Sequence, residues 1–427
     1  MKIIIGGIAV VFVCVSCTTL APPPQIEQSL YQGNFSTAAA LLNQHRQSLY
    51  RAEDLILYYL DRGMLEHYAG KYRESSDMLE RAAQAIDDAF TKSIRTELAS
   101  YIINDTVRNY DGEDYENIYS SAFNALNYYH RNDVESALID VRRMNYVLEH
   151  LSEQYEQLTG RLEQTVRDNG AEIPRFTQGT NTFHNSAFAR YLGMLLYRSN
   201  GKYDDARIDS ALLSAAFNQS PHIYPFPIPS SIADELTVPS GMARLNIIAF
   251  TGLSPIKRED TIRIALADNR EQYIKIVLPT LQNRPSALRS LSAVFDNGYT
   301  VDMELLEDIQ AVAHETFKEK AYLLYAKSVA RSVLKGAGTK ALQEIIGQNN
   351  VLSSGLQLFN ELSERADTRI ARYFPAKVYV GAVNLAPGTY SFTINYYGER
   401  GQLISAEQKT VTLHAQKLNL VEVLCLN

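Results

Sequence analysis

Apolar residues recur along this chain with two different periods, and the places where the period changes divide it. From residue 25 to 217 they return every three or four positions, as in Ser75, Leu79 and Ala82, which line one face of a helix. Between Ser220 and Pro239 stand Pro221, Pro225, Pro227, Pro229 and Pro239, which no helix absorbs. Alternation then takes over: Leu245, Ile247 and Ala249; Ile262, Ile264 and Leu266; Ile274, Ile276 and Leu278; Leu291, Ala293 and Phe295, ended by Asp296-Asn297-Gly298. These read as strands with turns. Helical spacing returns in Leu305, Ile309, Val312, Ala313, Phe317, Ala321 and Leu324 and runs to about Leu362, with a break at Gly336-Ala337-Gly338. Strands resume at Lys377, in Val378, Val380 and Ala382, then in Tyr390, Phe392, Ile394 and Tyr396, then over 403–413 and 418–426.

Within the first helical stretch one local pattern occurs four times. A polar or glycine turn is followed two positions on by an aromatic or apolar residue, then by a small one. The instances are Gly33 and Phe35 with Ala38, Gly70 and Tyr72 with Ser75, Asn132 and Val134 with Ala137, and Gly201 and Tyr203 with Ala206. Glycine or asparagine accepts the left-handed backbone that ends a helix, and the small residue lets two helices approach. The pattern resembles the tetratricopeptide repeat, although the spacing between units is irregular and a generic helical bundle has similar turns.

The expected fold class is therefore α+β and multidomain. A TPR-like α-solenoid over 25–217 is followed by a Pro-rich linker over 218–240. A β-sandwich-like domain then fills 241–427, with a helical segment inserted at about 303–365. Two separate small sheets are the alternative to one sandwich.

The amino terminus changes the picture of place. Lys2, an apolar run from Ile3 to Val15, and Ser16-Cys17 follow the order of a secretory signal. The run is too short to cross a bilayer, which needs about 20 apolar residues. Val13-Cys14-Val15-Ser16-Cys17 resembles the bacterial lipobox, with cleavage between Ser16 and Cys17 and lipid, palmitate among it, on Cys17. Cys14 stands where that pattern usually has leucine, and a simple signal cleaved near Ala21 is the other reading. Residues 1–16 are thus a leader and 17–24 an anchor and linker. Of three cysteines, only Cys17 and Cys425 remain after cleavage, so with Cys17 lipidated no intramolecular disulfide forms. Cys425 falls in the apolar run Leu420 to Leu426, where a buried, inert thiol is expected. If the source is Gram-negative, Thr18 rather than aspartate after the cysteine implies, by resemblance to lipoproteins of such cells, the outer membrane facing the periplasm.

The formal net charge of −7 becomes one unit more negative when Lys2 leaves with the leader. Nucleic acid, which is held by clustered Lys and Arg, is thereby disfavoured as a partner. The chain's 427 residues exceed what one hydrophobic core normally serves.

Three stretches together resemble a family of uncharacterised bacterial lipoproteins with tetratricopeptide-like repeats. They are Tyr110 to Glu116 with Ala125 to Tyr128, Ala137-Leu138 and Arg142-Arg143; Gly252 to Lys257; and Arg365 to Arg369 with Phe374 to Ala376 and Leu385 to Tyr390. That resemblance implies a lipid-anchored envelope protein and no reaction. The third stretch departs from the family at Ile370, where tryptophan is usual after the arginine.

Candidate chemistry is sparse. Asp111, Glu113, Asp114 and Glu116 form an acidic loop, read as helix capping, with a partner-binding loop or a cation site as the sharper alternatives. The EF-hand register fails there, because Gly112 at its sixth position puts Val107 first and Ile118 twelfth. His314-Glu315 lacks the second histidine of a zinc-protease helix, since Lys318 stands in its place. Gly201-Lys202 is not a phosphate loop, Gly336-Ala337-Gly338 lacks the third glycine of a dinucleotide fingerprint, and no Gly-x-Ser-x-Gly elbow occurs. Lys257-Arg258 reads as a small basic spot on a solvated loop. No catalytic residue, metal site, cofactor or small-molecule substrate is predicted. The expected function is protein binding by a lipid-anchored scaffold in the cell envelope, with an unidentified envelope protein as partner. Its alternatives are a regulator of an envelope enzyme such as a peptidoglycan synthase, and a cell-wall-active enzyme.

Overall fold

The computed structural model describes residues 22–95, 109–168, 173, 181–266, 269–334 and 366–426. The leader with Ser16, the anchor residue Cys17, and Gly336-Ala337-Gly338 lie outside the described residues.

Among the described residues four helical hairpins build the first half. They are α1 (Pro24–Tyr31) with α2 (Phe35–Gln44); α4 (Leu55–Tyr68) with α5 (Tyr72–Arg95); α6 (Asp114–His130) with α7 (Val134–Asp168); and α8 (Ala187–Ser199) with α9 (Tyr203–Gln219). The four-residue α3 (Arg46–Leu49) follows α2. Each hairpin turn is made alike. Gly33, Gly70, Asn132 and Gly201 have φ of 73°, 71°, 59° and 71°. One residue later an N–H reaches back to the carbonyl five positions earlier: Asn34 to Ser29 at 2.8 Å, and Lys71 to Glu66, Asp133 to Tyr128 and Lys202 to Tyr197 at 2.9 Å. This is the Schellman closure, in which a left-handed residue satisfies the orphan carbonyls of a helix end. The small residues that follow, Ala38, Ser75, Ala137 and Ala206, are all fully buried between the paired helices.

The second half holds β1 (Ala243–Thr251), β2 (Ile256–Leu266), β3 (Asn269–Gln282), β4 (Leu288–Phe295), β5 (Thr300–Asp308), α10 (Ile309–Leu334), β6 (Lys377–Leu385), β7 (Gly388–Gly398), β8 (Leu403–Leu413) and β9 (Asn419–Cys425). Strand β5 occupies ground where helical spacing was expected from Leu305. That side chain lies in the strand, and the helix begins at Ile309.

A solenoid beside a sandwich is not what forms. Seven strands make one mixed sheet in the order β8-β7-β4-β5-β6-β1-β9, and β2 with β3 makes a separate two-stranded ribbon. The large sheet curls into a nearly closed barrel, bringing β8 close to β1 and β9. Its inner side chains, among them Leu245, Ile247, Leu291, Phe295, Phe392, Ile394 and Val423, meet one another in a single apolar cluster. A sandwich needs two sheets to share that burial; here one curled sheet supplies both sides. The outer side of β1 and β6 gives Ile248, Phe250, Val378 and Val380 to a second cluster made mostly by the helices. The first helices of three hairpins turn onto the sheet side: Phe123 of α6 packs at 4.8 Å from Phe250, Phe188 of α8 at 5.8 Å from the same ring, and Tyr68 of α4 donates to Tyr373 O at 2.8 Å. The helical faces are therefore filled by the chain's own second half, which is the physical reason an open solenoid is absent.

Candidate functional site

The acidic loop before α6 is where the two halves exchange charge. Glu116 reaches back to the Glu113 N–H at 2.9 Å, so it closes the first turn of α6 as an N-terminal acid should. It also accepts from Tyr110 Oη at 2.7 Å and from Ala371 N at 2.6 Å. Glu113, 3% exposed, pairs with Lys257 of β2 and with Lys320 of α10, the latter at 3.0 Å. Lys320 also meets Asp111 Oδ1 at 2.9 Å and Gly112 O at 2.5 Å. Asp114 accepts from Tyr155 of α7 at 3.0 Å. Of the four acids, Asp111 is exposed, Asp114 half-buried, and Glu113 and Glu116 buried.

Electrostatics follow from this placement. Burial pushes the Asp114 carboxyl up to about 7, with Lys320 opposing and Glu113 adding to the rise. Burial, then the Glu113 charge, lifts Glu116 to about 7 as well. Burial would lower the Lys320 ammonium, but Asp111 and Glu113 outweigh it and hold the group well above its ordinary value. An amine so held is protonated and is not a nucleophile. The lysines also stand where a cation bound by this loop would have to sit. Lys257, expected on a solvated loop, is instead buried in β2.

Further polar links join the same layers. The segment 366–376 presents its backbone to α4 and α6: Arg372 N donates to Asp61 Oδ1 at 2.6 Å, and Tyr50 Oη donates to Asp61 Oδ2 at 2.7 Å. Arg369 pairs with Asp54 at 2.9 Å and with Asp367 at 2.7 Å. Glu307, turned toward the helices by an irregularity in the β5 register, accepts from Tyr119 at 2.5 Å, Tyr224 at 2.6 Å, Ser186 at 2.8 Å and Phe188 N at 3.1 Å. Burial raises its carboxyl, and four neutral donors oppose that rise at the positive end of α8.

On β9, Glu422 takes His67 of α4 at 3.0 Å and His130 of α6 at 2.5 Å. Burial alone would raise Glu422, yet the two histidines hold it at about 2. Behind His67 a chain of donors is fixed in direction. Ser75 Oγ donates to Gly63 O at 2.8 Å, Asn127 Nδ2 donates to Ser75 Oγ at 2.8 Å, and Asn127 Oδ1 faces His67 Nδ1 at 2.7 Å. Tyr72, one of the turn aromatics, stacks on His130 with centroids 4.2 Å apart.

The structure thus brings together Asp111, Glu113, Asp114 and Glu116, as their proximity in sequence requires, and adds Lys257 and Lys320 to them. It spreads the turn residues Gly33, Phe35, Gly70, Tyr72, Asn132, Val134, Gly201 and Tyr203 over four hairpins, where they shape helix ends. Sequence reasoning missed Lys320, Arg369, Glu307, Glu422, His67 and His130 as members of these links. Glu307 lies 121 positions from Ser186 and His67 lies 355 from Glu422, and no local spacing signals such pairings. Among the described residues no group of three or more His, Cys, Asp or Glu is arranged to hold a metal ion, and no helix is long and apolar enough to cross a membrane. No family model, curated protein or solved structure matches this chain.

Proposed function

We propose that the chain is a lipid-anchored cell-envelope protein that works by holding a partner protein. The anchor reading rests on Val13 to Cys17 and on the short connection behind it. Helix α1 begins at Pro24, so six residues, Thr18 to Pro23, separate the lipidated cysteine from the folded body. They reach about 20 Å at full extension, which keeps the body beside its membrane.

The observation that carries the binding reading is the division of labour among side chains. Buried acids and bases are committed to joining helices and sheet, while large apolar side chains point outward from the second helices of two hairpins. Ile139 and Tyr146, seven positions apart on α7, are each 59% exposed, and Ile208 of α9 is 57% exposed. Residues seven apart share a helix face, and apolar anchors of this kind dominate protein contacts. On this reading the partner docks on these outer faces, since the inner ones are filled.

The test is affinity capture from solubilised envelopes with the lipidated chain and with an Ile139→Asp/Tyr146→Asp variant. A stoichiometric partner retained by the first and lost by the second, at unchanged circular dichroism, supports the reading. Turnover of wall fragments by the purified protein would end it.

A further inference from the structure

The large sheet has two outer strands, and they are finished differently. The free edge of β9 is covered by α6. Tyr129 Oη accepts from Leu420 N at 3.1 Å and donates to Leu418 O at 3.0 Å, while Glu422 is held by His67 and His130. Strand β8 pairs with β7 along its length. On its other side it comes near β1 and β9 without pairing with either, and among the described residues no side chain or strand hydrogen-bonds its backbone. It is 11 residues long, contains neither proline nor glycine, and is exposed or half-buried at every position but Leu413.

Unpaired edges of this length template further pairing unless something blocks them. Charged side chains are the usual block, and β8 has two, Glu407 and Lys409, which pair with each other at 2.6 Å and stand half-buried on its barrel side opposite Ile394 and Phe392. Their order has a consequence. If two copies of β8 lie antiparallel about Gln408, Glu407 of each copy stands opposite Lys409 of the other. Ala406 then faces Thr410, Ser405 faces Val411, and Leu403 faces Leu413. Every pair shares a face, as antiparallel pairing requires. Moving the axis by one position, to Glu407 or Lys409, sets like charges against each other. The edge is therefore complementary in charge to itself in one register.

We infer that β8 is the contact between two copies of this chain, which join edge to edge about Gln408 into one continuous sheet. The contact is isologous, as a twofold pair demands. It is independent of the membrane anchor and of the outer helical faces.

The test uses the full chain in solution with Cys14→Ser and Cys17→Ser, which removes the lipid site and both competing thiols. Gln408→Cys places a thiol opposite its own copy and should give a covalent dimer under mild oxidation. Thr410→Cys, which opposes Ala406, should not. By sedimentation the unaltered chain should associate. Glu407→Lys should weaken that association about tenfold or more, because two attractive pairs become repulsive, and Glu407→Lys/Lys409→Glu should restore it. Cys425 is buried in the barrel and does not compete for oxidation. A monomeric chain whose Gln408→Cys form cross-links no better than Thr410→Cys overturns the pairing. So does a dimer indifferent to both charge variants, or a folded double variant that fails to re-associate.

Discussion

Strand β1 has Leu245, Ile247 and Ala249 on the barrel side and Arg244, Asn246, Ile248 and Phe250 on the helix side, and all nine of its residues are buried. On the barrel side these residues join one cluster with Leu291, Phe392 and Ile394. On the helix side Arg244 meets Glu235 at 2.7 Å, Asn246 shares that carboxylate at 2.8 Å, and Arg198 of α8 closes on it at 2.6 Å. The difference separates two roles of burial. The barrel side stabilises by area and volume, which many apolar sets satisfy. The helix side is matched group by group, and a carboxylate there accepts only the docking that brings its partners. Buried pairs add little net stability once desolvation is counted, but breaking one is costly.

The largest expected effect tests that asymmetry. Glu113→Leu leaves Lys257 and Lys320 buried against each other without their shared carboxylate and should cost about 3–5 kcal/mol in chemical denaturation. Adding Lys257→Met and Lys320→Met removes the orphaned charges and should recover most of that loss. In the barrel, Ile394→Ala should cost about 2–5 kcal/mol through the cavity it leaves. A second distant substitution there has no orphan to relieve. If the triple variant is as unstable as Glu113→Leu, the ion pairs stabilise outright and the contrast between the two sides fails.

What was legible in the sequence follows the same division. Local rules wrote the hairpin turns, so Gly33, Gly70, Asn132 and Gly201 were found with their left-handed backbone. Alternation found β1, β4 and β7, whose barrel faces carry Leu245, Leu291 and Phe392 every second position. Period alone does not say whether strands form two sheets or one, and closure depends on which strands pair. The parallel pairing of β1 with β9 brings Leu245 to Asn419 across most of the second half, and nothing in either segment announces it. The site was half legible. The acids at 111–116 were visible as a cluster and were read as a cap, with a loop or a cation site as alternatives, but their partners Lys257, Lys320 and Ala371 come from three other segments that no local pattern points to.

A middle-sized effect separates the two sides by pH. Asp114, ordinarily near 3.8 and raised to about 7 in the fold, contributes stability that is complete below its ordinary value and is lost as pH rises through 7. Glu422, ordinarily near 4.5 and lowered to about 2, contributes stability present above 4.5 and lost as pH falls through 2. Both groups lie outside the barrel interior, which adds no slope. Urea denaturation between pH 3 and 8 should therefore show Asp114→Asn flattening the fall toward alkaline pH and gaining of order 1–2 kcal/mol at pH 8. Ile394→Ala should shift the whole curve without changing its shape. Parallel curves for Asp114→Asn and the unaltered chain would mean that the acid is solvated and the contrast in polarity carries no titration.

The smallest effect concerns the turns, and it sharpens the comparison because they belong to neither side. Asn132 takes φ of 59°, a conformation asparagine tolerates and glycine adopts without cost. Asn132→Gly should change stability by only a few tenths of a kcal/mol, since the gain in native-state ease is offset by the greater freedom of glycine in the unfolded chain. Gly70 takes φ of 71° with open space where a Cβ would stand, so Gly70→Ala isolates the backbone strain, about 1 kcal/mol. Neither turn residue shares a partner with Glu113 or Ile394, so each effect should add to theirs within about 0.5 kcal/mol. A Gly70→Ala cost as large as that of Glu113→Leu would place the turn inside the matched helix–sheet contact. His67, three residues before Gly70, would be the route, because it holds Glu422 on β9 and would move with the end of α4.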